Sequence, residues 1–315
     1  MKAEIVLALG AGFFTATASI CQRLAAASSP REFSFSFRLV GYLLGRPIWF
    51  MGIVSMIVGF LLQIAALRVG SLALVQPIIA IELLVVFGFV AIRRRGQVGG
   101  REWGSAVAMA AGLGGFLYLA NPSGGHSGAR GVGWLIAFGA ISVATLISIA
   151  IAYLPHWIGR ELTTSWKAAW LGIATATLWG FVAAIIKELS SHLGGGLVEI
   201  LSSWSLYALL VVGAIAMFVG SNAFAAGPLA ASQPGLTIVD PLVASILGVT
   251  LFGEALRHGP VALTGEIAAL LVLVLGVIGL SHSELIHAET CPSERRGMVP
   301  RSRDGAPFGL PSSPH

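Results

Sequence analysis

The sequence predicts an all-α fold, a polytopic membrane protein of about nine transmembrane helices in two inverted four-helix repeats joined by a linker helix. Three observations predict it. Of 315 residues, 56% are apolar and 10% charged, where soluble domains carry about a quarter charged. The apolar residues fall in continuous runs long enough to cross a bilayer, which needs about 20 residues of helix. One of those runs recurs later in the chain.

The runs cover about residues 3–25, 47–68, 70–92, 102–120, 132–153, 167–189, 198–225, 229–254 and 262–281. Their continuity excludes barrel strands, which alternate apolar and polar residues over about 10 positions. Forty glycines suit a packed membrane bundle, because glycine lets helix backbones approach closely. The first run follows Met1-Lys2 and ends near Ala25-Ala26-Ala27, a pattern shared with secretory signals. Its membership of the repeat counts against removal. Beyond residue 283 the chain turns to Ser, Pro, Gly and Arg, so residues 283–315 are expected to be a disordered tail.

Net charge is +5, yet the basic residues lie between apolar runs rather than in a patch, so no nucleic-acid partner is expected. They orient the chain instead. Arg23, Arg31, Arg38, Arg46, Arg93, Arg94, Arg95, Arg101, Arg160, Lys167, Arg295, Arg296, Arg301 and Arg303 fall on one side, fourteen in all. Lys2, Arg68, Arg130, Lys187 and Arg257 make five on the other. The expected placement is a multi-pass protein of the plasma membrane, N-terminus outside and tail cytoplasmic. Cys21 and Cys291 belong to separate regions, so no disulfide is expected.

The repeat appears when residues 70–77 are laid over 227–234. Gly70, Leu72-Ala73 and Gln76-Pro77 coincide with Gly227, Leu229-Ala230 and Gln233-Pro234. Past the prolines each copy carries one acid, Glu82 and Asp240, one position out of register. In the first and sixth runs, Ala8, Gly12 and Ala16 correspond to Gly172, Ala176 and Gly180, and Arg23 to Lys187. Such small-residue stripes permit close packing in lipid. Trp49 and Trp204 lie near the starts of the second and seventh runs. Residues 1–125 thus form the first repeat, 126–160 the linker helix and 161–282 the second repeat. Five crossings separate each helix from its counterpart, so the copies run in opposite directions, as in many secondary transporters.

Glu82 and Asp240 each lie near the middle of an apolar run, where a charge costs at least about 2.5–3.5 kcal/mol, so each is expected to face a cavity, find a partner or stay protonated. Pro77, Pro234 and Pro241 are expected to break helices and free carbonyls, which membranes tolerate where they line protein or water. Gln76, Gln233, Ser232 and Thr237 flank those breaks, and Gln63 and Asn222 bring amides from the preceding helices. These residues form the expected substrate or ion site, with Glu82 and Asp240 as its metal ligands if the cargo is a cation. Each amide has an alternative role as an interhelical hydrogen bond. Glu254, with Arg257 three residues on, reads as a surface pair. Glu266 reads as snorkelling to the outer interface, and Glu4 and Glu199 as segment ends.

No Gly-x-Ser-x-Gly elbow, His-Glu-x-x-His pair or phosphate-binding Gly-x-x-x-x-Gly-Lys loop is present. None of the seven histidines lies well inside a run, so neither enzymatic activity nor a resident cofactor is expected.

The sequence resembles the drug/metabolite transporter superfamily. The likeness is carried by Arg46-Pro47-Ile48-Trp49-Phe50-Met51-Gly52, by Ala65-Ala66-Leu67-Arg68-Val69-Gly70-Ser71-Leu72-Ala73-Leu74-Val75-Gln76-Pro77, and by Leu251-Phe252-Gly253-Glu254. Within it the chain looks most like the nine-helix NIPA-type magnesium transporters and their bacterial relatives, over about residues 3–281. The resemblance implies two inverted halves of nine or ten helices moving a small solute or ion by alternating access. Superfamily members carry metabolites, nucleotide sugars or drugs, and one branch carries magnesium. The expected partners are therefore the lipid bilayer and a small-molecule or ion substrate, with transported Mg2+ or coupling H+ as the only ions implied. A membrane scaffold whose acids serve packing alone is the alternative of a different class.

Overall fold

In the computed structural model the described residues are 2–27, 45–93, 98–126, 128–129, 131–157, 164–226, 229–256 and 260–281. They are helical apart from short connections and one isolated bridge between Ser123 and Ala255. The tail expected over 283–315 lies outside them, as does Cys291, while Cys21 is a free thiol.

The first apolar run is α1, Lys2–Ala27. The second is α2, Pro47–Val69, which starts on a proline whose missing N–H has no intrahelical partner to lose at that position. The third run divides into α3, Leu72–Ile79, and α4, Glu82–Arg93. Then come α5, Gly100–Ala120, and α6, Gly131–Trp157. Asn121 closes α5 in the left-handed region at φ 37°, donating its N–H to Leu117 O, as a helix-ending Asn does. Helix α7 is Thr164–Ser191. The seventh run also divides, into a short α8, Gly196–Ser202, and α9, Trp204–Ala226. The last two are α10, Leu229–Phe252, and α11, Pro260–Ser281.

Seven of these stretches are long and apolar enough to cross a membrane, and α9 and α11 add the shorter apolar stretches Trp204–Gly220 and Thr264–Leu280. Large apolar side chains such as Phe50, Leu61, Leu135, Leu146, Leu210, Phe218 and Leu275 stand exposed along α2, α6, α9 and α11. That much outward apolar surface belongs in lipid rather than water. The chain is built as an integral membrane protein.

Helix α7 is the centre of the bundle: its apolar stretch is 78% buried, against 22–39% in the others. It packs on α9, α10, α6 and, more lightly, on α2 and α3. Phe181 on α7 and Trp134 on α6 join the main core, with Trp134 edge-on to Trp204 and Phe252. A second core binds α5 to α11 through Met109, Leu113, Leu273 and Val277. Those two helices approach so closely that a Cβ on Gly112 would stand 2.3 Å from Leu273 N, and one on Gly276 2.3 Å from Met109 N.

Helix α1 packs on α2 and on α3 and α4, and α7 packs on α9 and on α10.

Candidate functional site

Pro77 lies inside α3, where its missing N–H forgoes the bond to Ala73 O; the helix runs on past it to Ile79, and Ala80 and Ile81 then form a tight turn held by Ala80 N–H to Gln76 O at 3.3 Å and Ile81 N–H to Ile78 O at 3.0 Å. Helix α4 then begins with Glu82 in its first turn. A carboxylate there meets the positive end of the helix dipole, in the middle of what would otherwise be a single spanning segment. Ser19 on α1 donates to Glu82 Oε1 at 2.9 Å.

Pro234 and Pro241 do not break their helix, contrary to the expectation for both: α10 is continuous from Leu229 to Phe252. The neighbouring helix accounts for this, since packing in a bundle holds a proline-bearing helix on course. A Cβ on Gly172 would stand 2.7 Å from Ser232 O, and one on Gly180 2.8 Å from Asp240 O, so α7 lies directly on the α10 backbone beside both prolines. On the other side of the bundle, a Cβ on Gly12 of α1 would stand 3.0 Å from Ile79 O at the Pro77 break. Each small-residue stripe therefore covers the stretch that bears an acid.

Asp240 lies close enough to Glu82 for their carboxyl groups to interact electrostatically. Asp240 Oδ1 is buried with no hydrogen-bond partner among the described residues. Nearby, Pro77 and Ala80 at the end of α3, Met109 on α5, Pro241 on α10 and Leu273 and Val277 on α11 line an apolar cavity of about 20 Å³, with Thr237 and Ser245 at its α10 wall. That is room for about one water molecule. A larger cavity of about 490 Å³ lies between α1, α3, α4 and α5 and is walled by apolar side chains such as Leu9, Ile78, Leu84 and Leu113, with Tyr118 and Asn121 at one end.

The other expected site residues divide. Gln76 is buried on α3, Gln63 half-buried on α2, and Thr237 lines the small cavity. Ser232 is fully buried under α7. Asn222 stands apart: it is exposed on α9 and donates to Phe218 O of its own helix at 2.8 Å. The side chain of Gln233 lies outside the described ones.

Glu254 corrects the sequence reading most sharply. Its side chain is fully buried and pairs with Lys187 of α7, whose side chain is 5% exposed, so it is no surface residue. Gly253, at φ 62°, turns the chain beyond α10, and the carboxylate reaches back across the bundle to the N–H groups of Leu72 and of Ala73, the latter at 2.8 Å. Burial follows from that pairing, because the first N–H groups of α3 and the Lys187 ammonium replace the water the carboxylate gives up. Lys187 also reaches Gly70 O at 3.4 Å and stands 5.0 Å over the Phe252 ring. Beside it Glu188 accepts the Ala129 N–H at 3.1 Å. Two signals mark this cluster in the sequence: Lys187 occupies the repeat position of Arg23 at the end of an apolar run, and a glycine directly precedes Glu254. Glu266 also departs from its expected exposure, since Oε1 is buried without a partner among the described residues.

In sequence the chain is 25% identical over 289 residues to an uncharacterized protein of Corynebacterium glutamicum, covering 90% of this chain and 96% of that one. No family model matches the chain. No solved structure matches it.

Proposed function

We propose that the chain is a secondary transporter of the plasma membrane that moves a small solute or cation by alternating access between two inverted repeats. Its halves are residues 1–125 and 161–282, joined by the helix within 126–160, with the N-terminus outside and the tail in the cytoplasm. The observation that carries the reading is that Glu82 and Asp240, one acid from each half, lie within electrostatic reach of one another, with Asp240 Oδ1 buried and lacking a hydrogen-bond partner among the described residues. A membrane bundle gains nothing from holding two mutually repelling acids together unless a proton or cation joins them. Glu82 at the start of a half-helix and the carbonyls near Pro77 match the discontinuous helices that form ion sites in transporters. The matched packing of α1 and α7 supports the repeat.

Two carboxylates with amide and carbonyl oxygens suit a partly hydrated Mg2+, which keeps several of its waters. The same pair suits H+ exchange against a solute. Reconstituted in liposomes, the protein is expected to move protons or magnesium down an imposed gradient and Asp240→Asn to abolish that flux. Unchanged flux of both ions in Asp240→Asn overturns the role given to that acid.

The small apolar cavity beside α3 and α10, about 20 Å³, favours a second reading, a static scaffold in which the acids share one proton and serve packing alone. It predicts that Asp240→Asn raises stability and that no gradient of either ion is dissipated.

A further inference from the structure

We propose that Glu254 and Lys187 form a gate, a strap between the two halves that must break before that end of the bundle opens. The inference rests on the transport reading, since only a bundle whose halves part needs one.

The strap is built from distant parts of the chain. Glu254 N–H bonds back to Gly248 O at 3.1 Å, which fixes the turn and sends the carboxylate to the first two N–H groups of α3, 182 and 181 residues away in sequence. Ser71 occupies the capping position of α3 yet makes no capping bond, and its Oγ is buried without a partner among the described residues. The start of α3 therefore depends on a carboxylate from the other half. Lys187 neutralises that carboxylate and holds Gly70 O, so both sides of the α2–α3 turn are tied to the second half.

A lid covers the strap. Ser123 and Ala255 exchange both backbone hydrogen bonds, at 3.0 and 2.9 Å, and His126 N–H donates to Phe252 O at 2.9 Å. Helix α3 connects strap and site: its eight residues begin at Leu72 under Glu254 and end at the turn before Glu82. Releasing its start frees the half-helix whose other end positions the acid.

The test uses the full chain in liposomes with Cys21 and Cys291 replaced by serine. A small maleimide reads opening at Ser71→Cys and reads general loosening at Ala174→Cys, a fully buried position on α7. Glu254→Gln and Lys187→Gln are expected to raise labelling at Ser71→Cys at least about tenfold and leave Ala174→Cys unchanged, because each strands a buried charge at the strap. Should Glu254→Gln fail to fold, Gly248→Ala serves, since its Cβ would stand 2.3 Å from Glu254 Oε2 and displace the carboxylate. The pair Ser123→Cys/Ala255→Cys, placed by its two backbone bonds within disulfide reach, is expected to suppress Ser71→Cys labelling when oxidised and restore it when reduced. Labelling that rises equally at both positions, or that ignores the strap variants, overturns the gate. Absence of any proton or magnesium flux in the parent protein overturns the transport reading instead, and the labelling result does not depend on it.

Discussion

The stability of the Lys187–Glu254 pair separates a buried strap from an incidental contact. With side-chain exposures of 5% and 0%, neither partner recovers hydration when the other is removed. Lys187→Met leaves the carboxylate its two backbone donors at Leu72 and Ala73, so its cost should sit near the lower end of the range for breaking a buried pair, about 3 kcal/mol. Glu254→Gln leaves an ammonium with only Gly70 O and the Phe252 ring and also weakens the start of α3. Its cost should approach the upper end, about 5 kcal/mol. The double variant removes both charges together, so it should lose less than the sum, with a coupling of about 2–3 kcal/mol. Reversible unfolding in mixed micelles, followed by Trp fluorescence, measures all four corners of the cycle. Single-variant losses below about 1 kcal/mol, the level of an exposed pair, would refute the reasoning, as would additivity within about 0.5 kcal/mol.

Gly112→Ala and Gly276→Ala each place a methyl 2.3 Å from a backbone nitrogen of the facing helix and should cost about 1–3 kcal/mol in the same assay. Gly114→Ala, with open space around its Cβ position, should be neutral or slightly stabilising. Gly253→Ala forces a side chain into φ 62° and should cost about 1 kcal/mol, with increased maleimide labelling at Ser71→Cys because Glu254 follows directly. Asn222→Ala should leave both stability and ion flux within error of the parent, since that amide is exposed and bonded to its own helix. Ser19→Ala removes the 2.9 Å bond to Glu82 and should cost about 1 kcal/mol of stability.

Helix positions were legible in the sequence because lipid imposes a simple rule: a spanning segment must be apolar and satisfy its backbone internally. That rule marked the runs that became α1, α2, α5, α6 and α7, and Pro77 marked the break between α3 and α4. It also misled at Pro234 and Pro241. A proline removes one hydrogen bond whatever its surroundings, but whether the helix parts depends on what presses against it, and Gly172 and Gly180 of α7 lie within contact of the α10 backbone there. Asn222 is expected in the site as an amide from the helix preceding the proline-bearing one, whereas it stands exposed on α9 and bonds to its own helix.

By itself the sequence determined where the chain enters apolar surroundings, which residues are small enough for helices to touch, and that two acids lie far from either end of their apolar runs. Those properties are local, since each depends on a residue and its neighbours along one segment. Which groups meet was decided only by the tertiary structure. The repeat related Glu82 to Asp240 across 158 positions, but Glu254 reaches Leu72 across 182, and no pattern in the chain encodes that contact. A carboxylate three residues from an arginine looks like a surface pair until the fold brings it a buried ammonium and the open end of another helix, and only then does burial cost less than exposure.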